Sequence, residues 1–362
     1  MKHTFRESVG HTDFRKTLAE AFRILRNLRD ARCGFSGKAA LLDLDRADVS
    51  YLPAPADQAA YAAYLPFNRS KERSYTNTIT CHTTKKEDDK VVARDPSEIV
   101  GSLFHEIAHA LSWDAAPALH ASPYNRHTPV MVGPQDYALL SNLSERVAYA
   151  NVAWLLSLTK NEYPQLSHMV TPVNGHMFDF MLAREGHDIG RALAAAGDLS
   201  MLVTWGGDKS EHDESALTME QYYQRYALRQ YEYMIDTMIE NDIEIPWVVR
   251  LEREDFLPVG QSFGPNIVAV GQNTAKLRPQ EQALVERIHT KLAQAASVPS
   301  HEKLPLFSHE LAKRGYTPES FLDMSKAAGL EVKELTVPPR RAFSFSGHGA
   351  PASAAFGAMA PA

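Results

Sequence analysis

The sequence predicts an α+β fold that is mainly helical, with a small antiparallel sheet beside one especially apolar helix. Apolar residues recur every three or four positions through several long segments, a spacing typical of amphipathic helices. Residues 74–84 instead alternate β-branched with polar side chains, which indicates a strand. This strand comes shortly before the apolar helix at residues 95–113, so we expect the sheet to lie beside that helix.

Composition narrows the class of protein. The chain has 362 residues, of which 44% are hydrophobic and 23% charged, the balance of a soluble globular protein. Its formal net charge of -6 argues against a dedicated nucleic-acid binder. No apolar run is long enough for a transmembrane helix, the N-terminal residues lack a signal-peptide core, and there are only two cysteines. Together these features predict a cytoplasmic protein without a membrane span, and they leave open export by a route that needs no N-terminal signal.

Local patterns predict the remaining elements. Before residue 95 we expect a helix at 13–33, a short helix near 56–64, the strands KAALLDL and DVSYLP, and a turn at KKEDDK from which VVAR pairs back as a hairpin. A proline-rich irregular segment follows Trp113. Beyond it we expect helices at 136–159, 175–196, 218–240, 278–295, 308–315 and 317–329, a strand at NIVAV, and an Ala/Gly/Ser/Pro-rich tail without a fixed fold.

The helix at residues 95–113 has a well-specified start. Asp95 suits the N-cap, Pro96 suits the first helical position, and Glu98 follows at the spacing of a capping box. Between Pro96 and Trp113 there is no lysine or arginine. A solvated helix face would normally carry such residues, so we expect this helix to be buried on most sides.

Within this helix lies the pattern H-E-I-A-H, from His105 to His109. Histidines four positions apart project from one face with their Cβ atoms about 6 Å apart, so both imidazoles can reach a single ion. Zinc accepts neutral imidazole nitrogen and favours a tetrahedral shell. Glu106 lies beside the pair, where it is better placed to act on water than to bind the ion. Two other interpretations stay open, namely a chance match to the motif and histidines that are ordinary core residues.

A catalytic zinc site needs a third protein ligand, and Glu145 is the best candidate. It lies in the next strong helix, where small neighbours one turn away allow close approach, and a buried acid there would need a cationic partner. The alternative is a surface position at which Glu145 pairs with a basic residue. Competing candidates for the ligand are His120, His127 and Asp136, while the candidates for contacting the substrate or its oxyanion are Tyr149, His127 and Tyr124.

The H-E-I-A-H helix, followed by a helix bearing S-E-R-V-A-Y, resembles the gluzincin branch of the zincin metallopeptidases over roughly residues 75 to 160. It is especially similar to bacterial families of this type whose members have not been characterised. The resemblance implies Zn²⁺ bound by His105, His109 and Glu145, with Glu106 as the general base that activates a zinc-bound water. The chain departs from the thermolysin-like pattern N-E-x-x-S-D around the third ligand.

These observations lead us to expect a zinc-dependent peptidase that acts on a peptide or protein substrate. The alternative is a non-catalytic zinc protein whose site stabilises the fold or a binding surface. A fourth protein ligand would favour that alternative, whereas an open coordination position would favour the enzyme. The expected domains are a zincin-like metallopeptidase domain at 1–245, a mostly helical region at 246–337 and the tail at 338–362. The sequence leaves the oligomeric state open.

Overall fold

The computed structural model describes most of the predicted helices and strands. The described residues are 19–20, 23, 50–54, 62–69, 74–87, 90–113, 130–161, 163–164, 166, 171–204, 217–245, 247–252, 255, 277–317 and 320. They fall into two compact units. The first holds the described residues up to Leu111 and from Val147 to residue 204, and the second holds those from Ser112 to Arg146 and from Leu217 onward.

A mixed three-stranded sheet belongs to the first unit. Its strands β1 (Ser50–Pro53), β2 (Ala62–Arg69) and β3 (Ser74–Cys81) lie in the order β1-β3-β2. The β2–β3 pair is antiparallel, whereas β1 runs parallel to β3. The α+β class is therefore confirmed, with a sheet that is mixed rather than purely antiparallel.

Strand pairing also corrects two local predictions. The helix expected near 56–64 is wrong at its described end, because Ala62 and Ala63 begin β2 and pair with β3. Sheet pairing and burial there override the helix propensity of alanine. The hairpin is confirmed as β4 (Thr84–Glu87) and β5 (Lys90–Ala93). Of the residues expected in the turn, however, Lys85 to Glu87 belong to β4 and Lys90 begins β5.

Two long helices follow in the chain. Helix α1 (Pro96–Trp113) has the predicted bounds, and the Asp95 carboxylate caps it by accepting a 2.8 Å hydrogen bond from the Ser97 backbone N–H. Helix α2 (Pro134–Thr159) begins two residues before the predicted start. It is one continuous helix, and the division between the units falls within it.

The helix predicted at 175–196 is two helices, α3 (Gly175–Arg184) and α4 (Ile189–Leu202). Gly186 and His187 separate them with positive φ angles of 65° and 64°. Asp188 then starts α4 by accepting a hydrogen bond from the Arg191 backbone N–H. The signals were present in the sequence R-E-G-H-D, since glycine favours the end of a helix and aspartate the start of the next.

The second unit is mainly helical. Strands β6 (Val130–Val132) and β7 (Trp247–Val249) pair in parallel. Helix α5 (Met219–Glu240) begins with a capping box between Thr218 and Gln221, and helix α6 (Pro279–Ala296) has Pro279 in its first turn, as predicted. The short helix α7 (Phe307–Lys313) matches the prediction at 308–315.

Several predictions fall outside the described residues or stay untested. The helix at 13–33 (apart from three positions), the strands KAALLDL and NIVAV, most of the helix at 317–329 and the tail at 338–362 lie outside. The domain boundaries near residues 245 and 337 stay predictions. None of the described helices is both long enough and apolar enough to cross a membrane.

Candidate metal centre

Helix α1 carries the H-E-I-A-H pattern inside the core of the first unit. Leu103, Phe104 and Ile107 are at most 1% exposed and belong to its hydrophobic cluster. His105 and Glu106 are 0% exposed, and His109 is partly buried. The apolar residues thus anchor the helix in the close-packed core. The same packing holds His105, Glu106 and His109 in place and keeps most water away from them.

The two histidine rings converge as their spacing predicts. The Nε2 atoms of His105 and His109 lie 3.0 Å apart, and the ring centroids are 4.7 Å apart at an interplanar angle of 77°. Two nitrogens at about 2.0–2.1 Å from a tetrahedral zinc ion would be about 3.3 Å apart. A small rotation of either ring is enough to reach that separation.

Helix α2 supplies the other side chains of the group. Tyr149 is 0% exposed, and its ring contacts the His105 ring edge-to-face with the centroids 4.6 Å apart. Glu145 lies one helical turn before Tyr149 on the same helix and is only 6% exposed. This burial does not fit the alternative in which Glu145 forms a surface ion pair.

His105, His109 and Glu145 each offer a ligand atom, and the three atoms lie within 4.8 Å of one another. Two imidazoles and one carboxylate form the donor set of many catalytic zinc sites. A buried carboxylate beside two imidazoles is also costly unless a cation offsets its charge. By its donor chemistry the group fits a zinc ion, and metal binding by these residues stays a prediction.

Asp136, a competing ligand candidate, serves another purpose. It lies nine residues before Glu145 on α2, which is about 13 Å along the helix axis. Its Oδ2 accepts a 2.8 Å hydrogen bond from the Leu251 backbone N–H, and burial raises the pKa of this carboxyl to about 7. The remaining candidates, His120, Tyr124 and His127, lie outside the described residues.

Sequence reasoning missed two side chains near Glu145. Arg146, the next residue, donates a 2.8 Å hydrogen bond to Glu220 of α5 in an ion pair whose side chains are 2% and 3% exposed. Tyr226 of α5 is partly buried, and its pKa is raised by burial first and also by the charges of Tyr222, Tyr137 and Glu145.

The only sequence signal for these contacts was an arginine within an apolar helix and a tyrosine-rich segment at 218–240. The ion pair joins α2 to α5 at the residue next to Glu145, and removing one partner of a buried charge pair is strongly destabilising.

No protein-family model, curated protein or solved structure matches this chain. The candidate metal centre therefore rests on the positions of its side chains and not on similarity to another protein. His105, His109 and Glu145 each bring a ligand atom within 4.8 Å of the other two, and a further carboxylate, Glu106, is next to His105 in sequence.

Proposed function

We propose that this chain is a zinc-dependent peptidase acting on a peptide or protein substrate. His105, His109 and Glu145 would hold the ion, and Glu106 would act as the general base. The observation that carries the proposal is the convergence of the two Nε2 atoms, 3.0 Å apart, with a Glu145 oxygen within 4.8 Å on a neighbouring helix.

Each side chain has a defined task in this proposal. His105 and His109 bind as neutral imidazoles through Nε2, which requires the proton of each ring to lie on Nδ1. The edge of the Tyr149 ring restricts rotation of His105 and so keeps its Nε2 directed at the ion. When bound, zinc supplies Lewis acidity for water and for the scissile carbonyl.

Glu106 performs the proton transfers. It lies about 60° from His109 around the helix, beside the ligands rather than among them. Its carboxylate accepts a proton from water while the water oxygen bonds to the scissile carbon. It then donates that proton to the amine nitrogen as the carbon–nitrogen bond breaks. The products are a carboxylic acid and an amine, and Glu106 returns to its ionised form.

The variant Glu106→Gln tests this role. We expect it to bind zinc with the stoichiometry of the wild type, because the ligands are intact. Its kcat/KM on a mixture of quenched fluorescent peptides of random sequence should fall by roughly 100- to 10,000-fold, the usual contribution of a general base. The matched control is Glu286→Gln, which makes the same chemical change at an exposed position of α6.

Metal content separates the ligands from the base. His105→Ala and Glu145→Gln should lose bound zinc, whereas His176→Ala at an exposed site of α3 should retain it. The zinc content after dialysis is measured by inductively coupled plasma mass spectrometry. A Glu106→Gln variant that cleaves as fast as the wild type would disprove the assigned mechanism. Wild-type protein that takes up no zinc would disprove the whole proposal.

A second function, a non-catalytic zinc protein, is favoured by one observation. His105 and Glu106 are both 0% exposed, a degree of burial that suits a site stabilising the fold. In that case zinc would be bound stoichiometrically, no peptide in the mixture would be cleaved, and removing zinc would lower the melting temperature. Zinc-dependent cleavage that is lost in Glu106→Gln decides in favour of the peptidase.

A further inference from the structure

A groove with a volume of about 820 Å³ lies within the second unit. It is lined by the C-terminal ends of α5 and α6, by β7 and by residues around the start of α7. Cavities that bind small molecules or peptide side chains usually measure about 300–1,000 Å³. The groove is thus large enough for more than one side chain of a ligand.

Part of the groove lining is apolar and open to solvent. Trp247 is 55% exposed and Ile239 is 41% exposed, while Met238 and Val248 behind them are buried in the core of the unit. Large apolar side chains that remain exposed beside a concave surface are typical of a binding site. They would cover the hydrocarbon portion of a ligand.

The charged groups of the lining are acidic. Asp242, Glu244 and Glu310 line the groove, and none of its described lining residues is a lysine, arginine or histidine. Helices α5 and α6 both end here without a basic residue in the last turn. A helix C-terminus carries a partial negative charge, so the two helix ends add to the negative potential of the carboxylates.

Two cations at the margin offset only part of this charge. The Lys313 Nζ bonds to Oε1 of Glu310 at 2.5 Å, and the Arg314 guanidinium carbon lies 4.1 Å from the centroid of the Trp247 ring. The Arg314 guanidinium already stacks on the Trp247 ring. The cation of a ligand would therefore need a hydrogen-bond acceptor elsewhere in the groove.

Glu310 provides that acceptor. The residue is 3% exposed, and its Oε2 is buried without a hydrogen-bond donor among the described residues. A buried carboxylate oxygen that accepts no hydrogen bond is costly, because it has lost water without gaining another donor. Because Glu310 lines the groove, a cationic donor entering the groove would satisfy this oxygen.

We propose that this groove binds a peptide segment in which an arginine or lysine stands next to an aromatic or aliphatic residue. The basic side chain donates to Glu310 Oε2, and the neighbouring apolar side chain packs on Ile239 and Trp247. This binding site is independent of the proposed metal centre and of peptide hydrolysis.

The test is a binding measurement on the full chain by fluorescence anisotropy. The probes are two dye-labelled, acetylated and amidated peptides with the cores Leu-Arg-Phe and Leu-Lys-Phe. The comparison peptide carries citrulline in place of arginine, which keeps the shape and removes the charge. We expect both basic probes to bind, and the citrulline peptide to bind at least about tenfold more weakly.

Variants locate the binding to the groove. Glu310→Gln should weaken the arginine probe about tenfold or more, and Ile239→Lys, a change at an exposed position, should weaken it by placing a cation in the groove. Glu286→Gln is the control for loss of a carboxylate elsewhere on the unit and should bind as the wild type does. Circular dichroism spectra and melting temperatures like those of the wild type establish that the variants are folded.

The proposal is overturned by any of three results. These are no binding of either basic probe at about millimolar protein, equal binding of the arginine and citrulline peptides, or unchanged affinity in both Glu310→Gln and Ile239→Lys. If only Glu310→Gln failed to fold, Ile239→Lys and the citrulline comparison would still decide the question.

Discussion

The carboxyl group of Asp136 is buried, and burial disfavours its ionised form. The residue is 5% exposed, and burial, the largest effect, raises its pKa to about 7 even though the Leu251 N–H bond and Arg250 favour the ionised form. The folded-state pKa therefore lies above the value of about 3.9 in an unfolded chain. The stability associated with Asp136 is fully present below pH 4 and is lost as the pH rises through about 7.

The variant Asp136→Asn should remove this dependence. An asparagine oxygen can still accept the bond from Leu251, but no charge forms as the pH rises. Relative to the wild type, we expect the variant to gain roughly 2–3 kcal/mol in free energy of unfolding between pH 5 and pH 8, measured by urea denaturation at both pH values. Glu286→Gln is the control. Parallel pH profiles for Asp136→Asn and the wild type would contradict the assigned cause.

Some residues of the candidate metal centre could be predicted from the sequence and others could not. The relation between His105, Glu106 and His109 is set by helix geometry, so spacing alone was sufficient to place them together. Glu145 was predicted from the cost of burying an acid, and the structure brings it to the two histidines. Arg146 and Tyr226 were missed because their partners lie about 75 to 80 residues away in sequence, and no periodic pattern records such contacts.

At the scale of elements, the strong helices were predicted and one interruption was overlooked. Helices α1, α5 and α6 combine a cap or an N-terminal proline with uninterrupted periodicity, and their bounds match the predictions within a residue. The α3–α4 break was missed because apolar spacing continues across it. Strand β2 was missed because its alanines gain their strand conformation from pairing with β3, a contact that no local pattern encodes.

The start of α3 depends on the absence of a side chain at Gly175. A Cβ atom built there would lie 2.6 Å from both the carbonyl carbon and the oxygen of Leu156 in α2. Next to this close contact between Gly175 and Leu156, the Ser157 hydroxyl donates a 2.6 Å hydrogen bond to Asp179, which also forms an ion pair with Lys160. The backbones of α2 and α3 are thus in contact at Gly175, and separating the two helices there would break the contacts that Asp179 makes with Ser157 and Lys160.

Gly175→Ala should therefore destabilise the first unit. The added methyl group meets backbone rather than a flexible side chain, so we expect a loss of about 1–3 kcal/mol in the free energy of unfolding. Urea denaturation followed by circular dichroism measures it. His176→Ala, an exposed change at the next position, should cost less than about 0.5 kcal/mol. Equal stability of Gly175→Ala and the wild type would show that α3 can shift without cost.

At the scale of the whole molecule, each unit has its own hydrophobic core. The core of the first unit includes Ile79, Leu103 and Phe178, and that of the second includes Leu228, Tyr231 and Ile288. Helix α2 contributes Val152 to the first core and Ala138 to the second. A ligand that binds the folded chain and not the unfolded chain stabilises the folded state.

Zinc should therefore raise the melting temperature of the full chain. A ligand that binds only the folded state contributes about 2.7 kcal/mol at one hundred times its Kd, because folded and unfolded states are linked by mass action. We expect an increase of several degrees on adding zinc to chelator-treated protein, measured by differential scanning fluorimetry. The His105→Ala/His109→Ala double variant should show no increase, whereas His176→Ala should respond as the wild type does.

Magnesium provides a second control, since it prefers six oxygen ligands and is poorly suited to two imidazoles and one carboxylate. An equal response to magnesium and zinc, or an undiminished zinc response in the double variant, would mean that the ion binds elsewhere on the chain. A zinc response that is lost in the double variant would identify α1 as the site, independently of whether any peptide is cleaved. Because this readout depends on binding alone, it tests the metal centre separately from the role assigned to Glu106.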